Sequence, residues 1–213
     1  LQIIFTLITY QKMFDFTHND LHTNNIMYVD TDKQFIYYGY NGKTYKVPTY
    51  GKIWKIIDFG RAIYKFKGKT MFSDSFSLDG DAATQFNCEP YLNKEKKVVN
   101  PNKSFDLCRF GCSLFDYFID NIKMIKERDE CDDLQCLILE WCSDDCNKNV
   151  LYKNNGEERY PEFKLYKMIT RSVHNHIPEK QLDRIMFDNY RISKKKLNKK
   201  IKIINIDKFP VCV

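Results

Sequence analysis

The sequence predicts an α+β domain that is mainly α-helical and carries short β-hairpins, and three patterns support this prediction. Apolar residues recur at helical spacing over residues 3–14 and, more strongly, over residues 107–122. Between these stretches, Asn41-Gly42 separates two runs of aromatic and β-branched residues, which is a strong signal for a hairpin. We therefore expect both helices and strands in this chain.

The remaining elements follow from shorter patterns. Residues 61–104 are rich in polar side chains and lack apolar periodicity, so a long irregular segment is expected there. A Lys-rich run at residues 194–200 reads as a solvated helix face, with nucleic-acid contact as the alternative. The other predicted elements are the strands 26–29 and 53–57, the hairpin arms 34–38 and 44–47, the helices 133–141, 161–173 and 181–190, and a closing apolar segment at 201–206.

Length and composition limit the class of protein. The 213 residues can bury a core, and 43% hydrophobic with 15% aromatic residues argues against a disordered chain. No apolar run is long enough to span a bilayer. A net charge of +6 suits an anionic ligand without requiring one, and eight irregularly spaced cysteines are typical of reduced thiols in a cytosol-like compartment.

Two short motifs carry the candidate chemistry. Residues 18–25 read HNDLHTNN, and residues 58–60 read DFG. Phosphoryl transfer requires a carboxylate that orients the incoming hydroxyl and hard oxygen ligands that hold Mg²⁺ on the nucleotide phosphates. Asp20 fits the first role, while Asn25 and Asp58 fit the second.

These motifs resemble the catalytic loop and the metal-binding loop of protein kinases. The resemblance implies catalytic roles for Asp20, His22 and Asn25, and Mg²⁺ binding by Asn25 and Asp58. The residues that it implies at the ATP site are Asn25, Asp58, Phe59 and Gly60. It also implies one kinase-like C-terminal lobe over residues 1–213, with a catalytic loop at 18–25, a hairpin insertion at 30–52, an activation segment at 58–90 and an F helix at 105–122.

The sequence departs from the usual kinase motif at two positions. Asn19 replaces an arginine that pairs with an activation-loop phosphate in the family, so that switch is not expected here. His22 replaces a lysine that neutralises the γ-phosphate, and a histidine carries a full charge only when protonated. The DLHxxN pattern is also similar to aminoglycoside and choline-type phosphotransferases and to haspin-like kinases.

Residues beyond the motifs favour a protein-kinase-like lobe over the small-molecule phosphotransferases. Glu89-Pro90 is expected to close the activation segment, with Glu89 paired to Arg171 or Arg184. Asp106 and Gly111 resemble the F-helix signature of the family. The 30–52 hairpin is expected to be a decorated surface loop, with a docking role as the alternative.

The resemblance implies a serine/threonine protein kinase that uses ATP and Mg²⁺ to phosphorylate a protein substrate. The alternatives are a small-molecule phosphotransferase and a pseudokinase that acts as a docking module. An N-terminal lobe with a glycine-rich loop and a strand lysine is expected outside this chain, so the chain alone should turn over little ATP. Composition is similar to kinases of large DNA viruses, which implies the host cytoplasm or the virion, and no nucleic-acid or membrane partner is expected.

Overall fold

The structure is a computed structural model that describes residues 1–194, 197–198 and 200–213. Lys195, Lys196 and Lys199 belong to the Lys-rich run and lie outside the described residues, so the expectation of a solvated helix face there stays a prediction. The helices and strands, in chain order, are α1 (Gln2–Phe14), β1 (Ile26–Asp30), β2 (Phe35–Tyr40), β3 (Lys43–Pro48), β4 (Lys52–Ile56), β5 (Tyr64–Phe66), β6 (Lys69–Met71), α2 (Phe105–Phe118), α3 (Asp133–Trp141), α4 (Lys164–Ser172), α5 (Pro178–Gln181), β7 (Arg191–Ile192) and β8 (Ile203–Asn205).

Helix α1 lies at the centre of the larger hydrophobic core. Its residues Ile4, Phe5, Leu7 and Ile8 are buried, as the helical spacing of apolar residues predicts. The helix ends at Asp15, whose left-handed backbone (φ 47°) turns the chain toward the candidate catalytic loop. The first predicted helix is therefore present.

Strands β1 and β4 form an antiparallel ribbon whose register aligns Ile26 with Ile56 and Asp30 with Lys52. Both strands are rich in β-branched and aromatic residues, which favour extended backbone. This ribbon matters for function because Asn25 directly precedes β1 and Asp58 follows shortly after the end of β4. Both candidate metal ligands therefore lie near the end of the ribbon where Ile26 pairs with Ile56.

The predicted hairpin is present, but the expectation of a decorated surface loop is wrong. Strands β2 and β3 are the centre of a four-stranded sheet in the order β7-β3-β2-β8, in which β8 runs parallel to β2. Asn41 and Gly42 adopt positive φ angles of 50° and 69° at the turn. Tyr38 and Tyr45 are buried, and the ring of Tyr38 stacks on Phe5 at 4.3 Å. The hairpin is thus part of the core against α1.

Helix α2 is the centre of a second core that it forms with α3 and α4. It ends at Phe118 rather than at the predicted residue 122, because the backbone becomes extended at Ile119. Gly111 permits the close crossing with α3, since a Cβ there would lie 2.8 Å from the Cβ of Trp141. The buried members of this core include Phe105, Cys108, Phe115, Ile138, Leu139 and Ile169.

The C-terminal third departs most from the predicted elements. Helix α4 begins at Lys164 instead of residue 161. The single helix predicted over residues 181–190 is replaced by α5 and a 3₁₀ helix at Ile185–Tyr190. Met186 and Phe187 pack against the larger core in this arrangement, and tertiary packing therefore outweighs local propensity. In the described ranges, no helix has the length and apolar character needed to cross a bilayer.

Candidate active site

The candidate catalytic loop is fixed to helix α2 by one carboxylate. Asp106 is fully buried, and its two oxygens accept the backbone N–H groups of His18 and Asn19, each at 2.9 Å. Burial raises the pKa of Asp106, while the neighbouring His18 ring and the two N–H donors act in the opposite direction. Asn19 itself has a left-handed backbone (φ 63°), so this anchor sets the course of the chain immediately before Asp20.

His18 connects the candidate catalytic loop to the DFG segment. Its ring is fully buried, and Nε2 donates to the carbonyl oxygen of Ile57 at 2.9 Å, a partner that can only accept. The ring also packs against Phe59, with 5.5 Å between ring centroids. Phe59 is half-exposed and further contacts Phe16 and Tyr10. Phe59 therefore packs on the ring that supports the catalytic loop.

The β1–β4 ribbon places Asn25 and Asp58 beside each other. The N–H of Ile57 donates to the carbonyl oxygen of Asn25 at 3.0 Å, which extends the ribbon by one more pair. The side chain of Asn25 donates through Nδ2 to the carbonyl oxygen of Asp20 at 2.9 Å. Asp58 is exposed, has a left-handed backbone (φ 57°) and accepts the N–H of Gly60 at 3.2 Å. Asp20, Asn25 and Asp58 thus converge on one region.

The donor set at this point fits Mg²⁺. Because Asn25 uses its Nδ2 atom toward Asp20, its Oδ1 oxygen is free to face a ligand. The Asp58 carboxylate is exposed and adds further hard oxygen atoms. Within the described part of the chain, no cluster of three or more His, Cys, Asp or Glu side chains could hold a metal ion by itself. One amide oxygen and one carboxylate are a donor pair that fits Mg²⁺ where phosphates and water supply its other ligands.

Asp20 has three neighbours that bear on its role. The hydroxyl of Tyr166 donates to Oδ1 at 2.6 Å, Arg61 Nη1 lies 3.5 Å from Oδ2, and His22 Nε2 lies 3.7 Å from Oδ1. The Asp20 side chain is 18% exposed, so a substrate hydroxyl can reach it. Arg61 also binds Asp81 at 2.5 Å, and its carbonyl oxygen accepts Asn19 Nδ2 at 2.9 Å.

The surroundings of His22 favour its neutral form. Its Nε2 faces the Nδ2 donor of Asn25 at 3.3 Å, and an acceptor role at Nε2 requires the proton on Nδ1. Burial lowers the pKa of His22, which the charge of Asp20 partly offsets and the charge of Arg109 reinforces. His22 therefore cannot supply the permanent positive charge of the lysine that it replaces. Arg61 is the permanent cation beside Asp20.

The ion pair expected for Glu89 is not formed. Glu89 is exposed and has no salt-bridge partner among the described residues. Arg184 instead makes a two-point contact with Glu140. Arg171 donates to the carbonyl oxygens of Lys167 and Thr84. Arg184 therefore contacts α3, while Arg171 contacts α4 and the segment beside it. The sequence pattern does not reveal these partners.

Sequence reasoning missed Arg61 and Tyr166. Arg61 follows the DFG motif directly, and this position was the available signal for a cation near the candidate base. Tyr166 carries no such signal, since it lies 146 residues from Asp20 and belongs to an ordinary amphipathic helix. Only the packing of α4 against α2 brings it to the site.

Comparison with known proteins relates part of the chain to a kinase. The chain is 30% identical over 100 residues to the serine/threonine-protein kinase haspin of Mus musculus. This match covers 45% of the chain and 13% of that protein. No protein-family model matches the chain. The similarity hints at a relation to the kinase superfamily.

Proposed function

We propose that this chain carries the phosphoryl-transfer residues of a serine/threonine protein kinase, which transfers the γ-phosphoryl group of ATP to a protein hydroxyl with Mg²⁺. The observation that carries the proposal is the convergence of Asp20, Asn25 and Asp58 through the β1–β4 ribbon and the Asn25–Asp20 hydrogen bond. The similarity to haspin supports the same reaction class.

Each side chain has a defined task in this proposal. Asp20 accepts a hydrogen bond from the substrate hydroxyl and takes its proton as the new bond to phosphorus forms. Asn25 and Asp58 provide oxygen ligands for Mg²⁺, which when bound neutralises charge on the nucleotide phosphates. Arg61 lies beside Oδ2 of Asp20, whose Oδ1 accepts from Tyr166, and it keeps a positive charge beside the reacting groups.

A protein hydroxyl fits this site better than a small molecule. Asp106 holds the loop through two backbone N–H groups, and Gly111 permits the crossing of α2 and α3 that supports it. Both residues belong to the pattern that favours a protein-kinase-like lobe. The long segment 61–104 and helix α4 flank Asp20 and offer a wide surface to a polypeptide.

The test uses the longest polypeptide that contains this chain, with γ-labelled ATP, Mg²⁺ and either serine-containing proteins or aminoglycosides as acceptors. Asp20→Asn should reduce protein labelling by about 10²-fold or more, because the substrate hydroxyl loses its base. Asp58→Asn should raise the Mg²⁺ concentration needed for half-maximal labelling. The matched control is Asp129→Asn, which changes an exposed carboxylate outside the site.

The outcomes separate the proposal from its alternatives. Labelling of aminoglycosides in preference to protein would favour a small-molecule phosphotransferase. Labelling that is unchanged in Asp20→Asn would remove Asp20 as the base. Nucleotide binding without labelling of either acceptor class would favour a docking module.

A further inference from the structure

A groove of about 910 Å³ separates helix α4 from the irregular segment 76–102. Its apolar lining includes Phe76, Phe86 and Val99, while Lys96, Lys97, Lys167 and Arg171 supply the charge. Among the residues that the structure describes, no aspartate or glutamate lines it. We call this feature the basic groove. Its volume lies in the range that is typical of ligand-binding pockets.

The charge of the basic groove is largely uncompensated. Lys96 and Lys97 are exposed, and neither they nor Lys167 forms a salt bridge within the described ranges. Arg171 binds only carbonyl oxygens, which orient its guanidinium without neutralising it. His174, at the end of the groove, is different because Asp145 lies 2.6 Å from its Nδ1. The four remaining cations therefore give the basic groove a net positive charge that favours an anionic ligand.

The wall that carries Lys96 and Lys97 is held in place by hydrogen bonds of Asn87, whose backbone pairs with Val99. The Asn87 side chain is buried, and its two Nδ2 hydrogens are shared among the carbonyl oxygens of Asn93, Lys96 and Lys97, which lie at 2.9–3.1 Å. Its Oδ1 accepts the N–H of Asn93 at 2.7 Å. A loop fixed at this many points loses little conformational freedom when a ligand binds. The basic groove is therefore preformed.

The opposite wall is a single face of α4. Lys167, Thr170 and Arg171 line the groove at positions i, i+3 and i+4 of α4, and His174 lies just beyond the end of the helix. Tyr166, which binds Asp20, immediately precedes Lys167 and lies on the neighbouring face. Helix α4 therefore contributes one side chain to the candidate site and others to the basic groove.

We propose that the basic groove docks an extended acidic peptide segment of the protein substrate, in which Asp or Glu residues alternate with aliphatic ones. Alternation suits the groove because its lysines line the rim while Val99 and Leu78 offer apolar contact. A nucleic acid fits less well, since Phe76 and Phe86 are buried and Tyr91 is the one exposed aromatic ring among the described residues of the lining, whereas single-stranded nucleic acids stack successive bases on several rings. That the peptide belongs to a substrate rests on the proposed function, whereas the binding of an acidic peptide to the basic groove does not.

The experiment measures fluorescence polarisation of a labelled peptide of about ten residues with alternating Glu and Leu, titrated with the 213-residue chain. The double variant Lys97→Glu/Lys167→Glu should weaken binding by about tenfold or more, because two attractive charges become repulsive. The matched control, Lys123→Glu/Lys126→Glu, has the same net charge change on a surface outside the groove and should bind within about twofold of the parent. Circular dichroism checks that both variants are folded.

Three results would overturn the proposal. Equal affinities for the groove variant and the control variant would show that net charge alone drives binding. Equal binding of a peptide with Lys in place of Glu would exclude charge recognition. Tighter binding of a single-stranded RNA of the same charge would assign the groove to nucleic acid. Asp20→Asn should leave peptide affinity unchanged, so a failed kinase assay and a failed docking assay remain distinguishable.

Discussion

The hydroxyl of Tyr166 donates a 2.6 Å hydrogen bond to Oδ1 of Asp20, across 146 residues of sequence. The ring of Tyr166 stacks on Phe163 at 5.2 Å and lies 5.1 Å from the guanidinium of Arg109. This packing fixes the hydroxyl from both sides. Helix α4 therefore takes part in the candidate site, although it lies far from both motifs in the sequence.

Tyr166→Phe should lower the free energy of unfolding by about 1 kcal/mol. A hydrogen bond to a charged group contributes about 1.5–3 kcal/mol, and partial exposure of Asp20 lets water replace some of that. Urea denaturation of parent and variant measures the difference. Tyr160→Phe is the matched control, because its hydroxyl has no hydrogen bond among the described residues. Equal losses in the two variants would mean that the bond to Asp20 contributes nothing.

Asp106→Asn should destabilise the chain by about 2 kcal/mol or more, because a carboxamide offers one oxygen to two buried N–H donors. The amide group would also direct its own N–H toward a donor. Hydrogen exchange at the amides of His18 and Asn19 should accelerate with the loss of stability. Asp116→Asn, at an exposed position on the same helix, should change neither measurement. Unchanged protection at His18 and Asn19 would contradict the anchoring role.

The features that could be predicted from the sequence are those that depend on residues close together along the chain. Helix α1 and the Asn41-Gly42 turn follow from local periodicity and backbone preference, and both are present. The two motifs were legible because each is a short contiguous string. Helix α3 was also predicted with its correct bounds, since Asp132 and Gln135 form a capping box at its start.

The features that sequence reasoning missed join distant segments. Strand β8 pairs with β2 from the far end of the chain, so the hairpin became part of the core instead of a surface loop. No local pattern indicates which strand will cover the edge of another. The partner of Tyr166 and the partner of Arg184 depend likewise on how α3 and α4 pack.

Arg184 contacts Glu140 and not Glu89, which gives a prediction for each of the two glutamates. Glu140→Gln should lower stability at pH 7, whereas Glu89→Gln should leave it unchanged, because only Glu140 contacts Arg184. The hydrogen bond from Arg184 lowers the pKa of Glu140 below its usual 4.5. Its stabilisation is therefore complete above about pH 4.5 and is lost as the pH falls through the lowered pKa.

Thermal unfolding at several pH values checks both carboxylates. The Glu140→Gln variant should differ from the parent at neutral pH and converge with it in acid. A larger loss for Glu89→Gln than for Glu140→Gln would show that Glu89, as first expected, is the partner of a late arginine.

His176 gives a second pH dependence of stability. Its charged form is a cation, whereas that of Glu140 is an anion. Its Nε2 donates to the carbonyl oxygen of Ser143 at 2.8 Å, and its buried Nδ1 has no hydrogen-bond partner in the described part of the chain. Burial lowers the pKa of His176 below 6.5, so the unfolded chain takes up a proton first as the pH falls. Stability should therefore decrease below about pH 6.5 and level off once the folded pKa is passed.

His176→Gln tests this assignment, because a glutamine can still donate to Ser143 but does not titrate. The free energy of unfolding of the variant should vary less than that of the parent between about pH 7 and about pH 5. His174→Gln is the control substitution at an exposed histidine, which contacts Asp145. Parallel profiles for parent and His176→Gln would mean that His176 is protonated equally in the folded and unfolded chain.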